Sequence, residues 1–374
     1  MIQIVRNQSS YIVMRNPYFI RLIVVVFIGF PSIASKAQTS SYQSPALSNP
    51  DSWSLVLLPD PQSYVKFERN QGIFELMTGW ISEQIDPLNI QLVLCTGDLV
   101  EHNDWLNPDG KQGNQAGKQQ WEAVARAFGR LDGRVPYVAA TGNHDYGVKS
   151  IEYRRTNYNQ YFPVDKNPLS QKLLRDAGID AEGYPSLTNA TYEFTAPHGR
   201  KFLVMVLEFA PRDTVLRWAL NTVNQEKYAD HTVILLTHSY LNSDSEHIVK
   251  EGYPITDGNY GAAVWEKLVK PAKNIRLVFS GHIGKPDDIL GHIGFRTDTN
   301  AAGKRVQQMV FNAQALGGGW HGNGGDGWLR YLEFLPDGKT IKVRTFSPLF
   351  AISPATQQLA WRTAEYDQFT FELD

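Results

Sequence analysis

Ile90-Gln91-Leu92-Val93-Leu94-Cys95-Thr96-Gly97-Asp98-Leu99-Val100-Glu101 is the stretch on which the fold turns. Its first six residues are an almost unbroken apolar run, the length of a strand buried on both faces. Gly97 then opens a turn, and Asp98 places a carboxylate directly beyond the strand. The pattern recurs along the chain. Residues 54–58 run into Pro59-Asp60-Pro61-Gln62, and residues 136–140 run into Gly142-Asn143-His144-Asp145. Thr232–Leu236 leads to Thr237-His238, and residues 275–279 lead to Ser280-Gly281-His282. Helical spacing over 67–85 and 118–131 separates the first three strands, with Trp121, Val124, Ala125 and Phe128 on one face. This alternation predicts an α/β fold with parallel strands and crossover helices, whose functional groups gather beyond the carboxyl ends of the strands.

Carboxylates, amides and imidazoles thus converge at one sheet edge. Oxygen ligands mixed with imidazole suit Mn, Fe, Zn or Mg rather than a thiolate site. Two such cations can activate water and polarise a phosphoryl group, which names phosphoester hydrolysis as the reaction class. Each signal alone has a plainer reading. A lone Gly-Asp is most often a turn, and a lone histidine after a strand is most often a satisfied core residue. The ordered set is what carries the metal reading.

In these blocks the chain resembles the calcineurin-like metallophosphoesterase family. That family's pattern is D-x-H, G-D-x-x-D, G-N-H-D/E, a lone His, and G-H-x-H, matched here from about residue 54 to 284. Two positions depart: Gln62 stands where the first block has His, and Gly284 where the last block has its second His. The resemblance implies a sandwich of two mixed β-sheets flanked by helices, with a dimetal site at one edge. It implies that Asp98 bridges two divalent ions and that Asn143, His238 and His282 complete the second position. Asp60 and Gln62 would hold the first position, which is weak or prefers Mg or Mn because two imidazoles are missing. His102 or His321 are candidates to rescue it. His144 would protonate the leaving oxygen or stabilise transition-state charge, oriented by Glu101, and the nucleophile would be a metal-activated hydroxide. The competing reading of Glu101 is a solvated loop charge.

The bulk numbers agree with an enzyme of ordinary size. The chain has 374 residues, 42% hydrophobic, with net charge -2. That supports a large core and shows no basic nucleic-acid footprint. Arg6, Arg15 and Arg21 precede an apolar run over 22–30, followed by Ser35-Lys36-Ala37. This reads as a signal peptide over 1–37, with Met14 as an alternative start and no stable membrane span after cleavage; an uncleaved anchor is the competing reading. Residues 38–50 read as a linker and 51–374 as the catalytic domain. The single cysteine, Cys95, reads as a buried strand thiol. An exported chain without disulfides fits a periplasmic or secreted location. Asn189-Ala190-Thr191 matches a glycosylation sequon, meaningful only in a eukaryotic host.

Two insertions, near 103–117 and 147–190, border the expected cleft. Residues 213–228 read as a helix with Asp213 as N-cap. The tail carries strands over 306–311, 328–335 and 340–347, the last two joined as a hairpin by Pro336-Asp337-Gly338-Lys339. Arg212 is a candidate phosphate clamp, with a surface salt bridge as the equal alternative. Tyr240 is a candidate cleft residue. The glycine-rich run 317–326 reads as a mobile wall carrying Trp320 and His321, against a plain surface loop. His198, His231 and His292 read as structural. The expected function is an exported, metal-dependent hydrolase of a small phosphomonoester or phosphodiester. The alternative is a non-catalytic binding protein on a degenerate phosphoesterase scaffold.

Overall fold

The computed structural model describes residues 42–374. The segment read as a signal peptide and the first part of the segment read as a linker lie outside the described residues. Among the described residues, fourteen strands build two sheets. In chain order they begin with β1 (Trp53–Leu58), β2 (Ile90–Cys95), β3 (Tyr137–Ala139), β4 (Leu174–Ile179) and β5 (Pro185–Thr195). Then come β6 (Lys201–Val206), β7 (Thr232–Leu236), β8 (Ile275–Ser280), β9 (Ile293–Thr299) and β10 (Arg305–Phe311). The tail adds β11 (Leu329–Phe334), β12 (Thr340–Phe346), β13 (Trp361–Arg362) and β14 (Phe369–Glu372).

The first sheet has the order β13-β12-β11-β1-β2-β3, with β14 also paired to β12. β1, β2 and β3 are parallel, and β11 closes on β1 antiparallel. The second sheet runs β4-β5-β6-β7-β8-β10-β9. Its middle pairs β6-β7, β7-β8 and β8-β10 are parallel, and its edge pairs are antiparallel. Two mixed sheets flanked by helices are therefore observed as expected.

Side-chain alternation explains the layering. Along β1, Leu55 and Leu57 enter the core between the sheets, where they join Phe202, Val204, Leu236, Phe279 and Leu332. Val56 and Leu58 point the other way, into a second core with Phe74, Met77, Ile81, Trp121, Val124 and Phe128. Those residues come from α1's neighbours α2 (Glu68–Glu83) and α3 (Gly117–Gly129), which cover the outer face; α1 itself is the short turn Gln62–Val65. In α2 the buried Phe74, Met77 and Ile81 recur at helical spacing. The helix Asp213–Val223 covers the second sheet through Val215, Leu216 and Ala219. Each fully buried Leu or Phe of this kind contributes about 1.5–3 kcal/mol of transfer free energy. A strand buried on both faces cannot slip by one residue without burying the wrong set, so the register of β1 and β2 is firmly held. The residues that follow these strands therefore have fixed positions.

Several expectations are revised. The span 147–190 is more than an insertion, because β4 and the start of β5 within it form the edge of the second sheet. β9, β13 and β14 have no counterpart in the sequence reading. Asp213 is the first helical residue rather than the N-cap; Arg212 holds that position, and Asp213 accepts from Lys267 Nζ at 2.8 Å. The end of the linker segment is anchored, since the Ser48 amide donates to Glu333 Oε1 at 2.7 Å. Asn189 is buried and donates to Glu208 Oε2 at 2.9 Å, so its amide is not free for a glycan. No helix among the described residues is long and apolar enough to cross a membrane.

Candidate metal centre

The loops after β1, β2, β3, β7 and β8 meet at one edge of the sandwich. Their approach is close enough to require glycine. A Cβ on Gly142 would collide with the Asp98 carboxylate, and one on Gly281 would collide with Asp60 Oδ1. Asp98 and His282 themselves take left-handed backbone angles, φ 45° and 78°, which side-chain-bearing residues rarely adopt. Strain of this kind persists only where surrounding contacts over-determine it, and it concentrates at functional sites. Asp145 supplies one such contact. Its Oδ1 accepts from Val100 N at 3.0 Å and its Oδ2 from Gly142 N at 2.8 Å, tying the loop after β2 to the loop after β3.

Four ligand-type atoms face one another. His238 Nε2 lies 3.1 Å from Asp98 Oδ2 and 3.2 Å from His282 Nδ1. His282 Nδ1 lies 3.0 Å from Asn143 Oδ1. The far side of each group explains why its lone pair is available. His238 Nδ1 lies 2.9 Å from the Thr96 carbonyl, which fixes its proton there. His282 Nε2 lies 2.9 Å from Glu251 Oε1, and Ser239 Oγ donates to the same carboxylate oxygen at 2.8 Å. Asn143 Nδ2 donates to Ser150 Oγ at 3.0 Å, leaving its carbonyl inward. A cation that displaces any proton from the inward nitrogens would meet four acceptors at once. That is a donor set for a cation, and the carboxylate and carbonyl behind the histidines are the outer partners that orient such ligands.

The local field agrees. Burial opposes a charge on His238, but the carboxylates of Asp98 and Asp60 override it and push its pKa up to about 10. Burial likewise works against ionised Asp98, yet His238 and His144 hold its pKa down at about 2. Positive charge is thus favoured where the four atoms meet.

The first metal position is different in kind. Asp60 is fully buried, with Oδ1 accepting from Thr96 Oγ1 at 2.6 Å and Oδ2 accepting from His282 N at 2.8 Å and Asn312 Nδ2 at 2.6 Å. Burial dominates and raises its pKa to about 6. Gln62 donates through Nε2 to Gln314 Oε1, while its own buried Oε1 has no partner among the described residues. An orphaned buried carbonyl oxygen in the cleft that Asp98 also lines fits a hard cation bound through oxygen. Gln62 and Gly284 stand where the family's pattern carries two histidines, so those two imidazoles have no equivalent here. The space that a side chain at Gly284 would need is taken by the Trp320 ring. His102 does not supply one: its ring packs at a tilt against Trp105, with centroids 4.2 Å apart, and its Nδ1 lies 3.4 Å from Gln120 Nε2.

The open side is a cleft of about 370 Å³ lined by Gln62, Lys66, Asp98, Glu101, Asn143 and His144, with Tyr253, Gln314, Trp320 and His321 among the rest. Trp320 and His321 line this cleft. Their loop is anchored rather than loose, because Asp287 Oδ1 accepts from Gly318 N at 2.8 Å and Arg69 Nη2 donates to the His321 carbonyl at 2.8 Å. Arg212 and Tyr240 are not in the cleft. Arg212 Nε donates to the buried Glu208 at 2.8 Å and Nη2 donates to the Ile179 carbonyl at 2.7 Å, a structural tie. Tyr240 is buried, and its hydroxyl donates to Gln308 Oε1 at 2.6 Å.

His144 is held differently from expectation. Its Nδ1 lies 2.8 Å from the Glu101 backbone carbonyl and 3.0 Å from that of Lys149. The Glu101 carboxylate instead meets Lys66 Nζ at 3.2 Å. The carbonyls place a proton on Nδ1 and leave Nε2 for the cleft. Burial works against charge on His144, but Asp98 and Glu101 outweigh it and raise its pKa. Glu251, Lys66 and Gln314 had no part in the sequence reading, and Asp145 entered it only as the last member of its block. For Lys66 a signal existed: it follows Gln62 by four residues in one helical turn, and its amide donates to the Gln62 carbonyl at 3.1 Å.

The family model for calcineurin-like phosphoesterases matches residues 57–286, and the chain belongs to that family. A protein of Bacillus subtilis strain 168, named "Uncharacterized protein YvnB", is 28% identical over 309 residues. The match covers 80% of this chain and 20% of that protein, so the chain spans about a fifth of the length of this relative. Among solved structures, a dimetal phosphatase from Danio rerio aligns over 86% of this chain and 99% of its own, with TM-score 0.48 and 10% identity. The structure titled "GAP50 the anchor in the inner membrane complex of Plasmodium" aligns over 86% and 89%, with TM-score 0.37 and 13% identity.

Proposed function

We propose that this chain is a metal-dependent phosphoric ester hydrolase acting on a small phosphomonoester or phosphodiester. The observation that carries the reading is the convergence of Asp98 Oδ2, Asn143 Oδ1, His238 Nε2 and His282 Nδ1, with His144 beside them in an open cleft. These four residues would hold one divalent cation, and Asp60, Gln62 and Asp98 a second, harder one. Cations bound there supply Lewis acidity toward a phosphoryl oxygen and lower the pKa of a water. The residues do the rest. Asp98 and Asn143 fix the floor against which the phosphoryl group lies. His144, protonated and held through Nδ1, presents Nε2–H to the leaving oxygen. As a hydroxide oxygen bonds to phosphorus, the bond to the leaving oxygen breaks and that oxygen takes the His144 Nε2 proton, which leaves His144 neutral. A binding protein on this scaffold would have no use for an imidazole held in that way.

The apolar run over 22–30 and the Ser35-Lys36-Ala37 signal support export of the chain. N-terminal sequencing of the protein recovered from a periplasmic or culture fraction checks this, with cleavage after Ala37 expected.

The activity is tested with p-nitrophenyl phosphate and bis-p-nitrophenyl phosphate, each with Mn or Mg and with EDTA. We expect turnover of at least one ester with added metal, abolished by the chelator and restored by Mn. Absence of turnover on both, and on a broad phosphoester panel, would favour the non-catalytic reading.

A further inference from the structure

We propose that Lys66 is the fixed cation that receives a non-bridging oxygen of the substrate's phosphoryl group. This inference rests on the hydrolase reading above. The cleft is lined by carboxylates, amides, imidazoles and aromatic rings, and Lys66 is the one lysine or arginine among its lining residues. Its side chain is 2% exposed, and its partner among the described residues is the Glu101 carboxylate at 3.2 Å. An ammonium has three N–H donors, so a single carboxylate leaves donors unmet. Sequestering a lysine and a glutamate from water is costly and by itself poor support for stability. Their place beside His144, at the wall of the cleft, gives the pair a use.

Glu101 makes the arrangement specific. Its carboxylate holds Lys66 and its backbone carbonyl holds His144 Nδ1, so one residue sets the cation and the imidazole against the same substrate. Lys66 also lies one helical turn after Gln62, which keeps both on the same side of α1. The first metal position lacks the two imidazoles of the family's pattern, and the Trp320 ring fills the space beside Gly284. A lysine nearby offsets part of the positive charge that a weakly held first ion would leave missing. Lysine serves phosphate as a point charge rather than a bidentate fork. Its attraction for a dianionic monoester is about twice that for a monoanionic diester at equal distance.

The test compares wild type with Lys66→Met, both loaded with Mn. Loss of a hydrogen bond to a charged group predicts that kcat/KM for p-nitrophenyl phosphate falls roughly 10- to 100-fold. The fall for bis-p-nitrophenyl phosphate is smaller, and metal content is unchanged. Calorimetric titration with inorganic phosphate should show weaker binding by a similar factor. Should Lys66→Met fold poorly, Lys66→Gln combined with Glu101→Gln removes both charges together and is measured in the same way. Equal losses on both esters with unaltered phosphate affinity would overturn the proposal, as would no loss at all. A wild-type chain that turns over neither ester nor any member of a broad phosphoester panel would instead sink the hydrolase reading, and the phosphate titration would still decide the role of Lys66.

Discussion

Asp98→Ala should release the tightly held cation and lower kcat/KM by on the order of 10³-fold or more. The expectation follows from position. Asp98 Oδ2 lies 3.1 Å from His238 Nε2, and its Oδ1 accepts from His144 N at 2.9 Å, so one carboxylate serves the cation position and the backbone of the acid. Asp98 is also the residue both proposed metal positions share. Several kcal/mol of transition-state stabilisation attributable to bound cations, at 1.36 kcal/mol per factor of ten, gives a loss of that size. The variant remains foldable because the adjoining strands are buried by apolar contacts that Asp98 does not make. Metal analysis after gel filtration, run beside the kinetic assay, checks the two effects together. Retained metal with normal turnover would remove Asp98 from the centre.

His144→Ala should behave in the opposite way toward metal. Its Nδ1 is engaged by carbonyls and its Nε2 faces the cleft, so neither nitrogen belongs to the four-atom cluster. Metal content should match wild type while kcat falls about 10²- to 10⁴-fold, the usual range for loss of a general acid. A leaving group that needs little protonation, such as p-nitrophenolate, should show the smaller end of that range, and an alkyl phosphate the larger end. Near-normal turnover of both esters would show that His144 is not the acid.

Much of this centre is legible in the sequence because it lies at strand ends. Buried parallel strands read as short apolar runs, and β2 carries one over Ile90–Cys95 that coincides with the reading. Whatever follows such a run is delivered to the sheet edge, so Asp60, Asp98, Asn143, His144, His238 and His282 can be named before any coordinates. What is missed is missed for a physical reason. Glu251 comes from a loop with no periodic pattern, and only the fold brings it to His282. The roles within Glu101 cannot be separated in sequence, since a backbone carbonyl carries no residue signature. Arg212 follows the apolar run of β6, as the candidate ligands follow theirs, but the buried Glu208 four residues earlier claims its guanidinium. β9 escapes notice because its burial is intermediate and its residues mix polar with apolar types. The glycine-rich loop is anchored by Asp287 and Arg69, contacts distant in sequence.

Anomalous diffraction from crystals grown with Mn tests the account most directly. The account predicts a peak within about 2.0–2.3 Å of Asp98 Oδ2, Asn143 Oδ1, His238 Nε2 and His282 Nδ1. A saturated crystal with no peak among those four atoms, or with its Mn bound elsewhere, would contradict it.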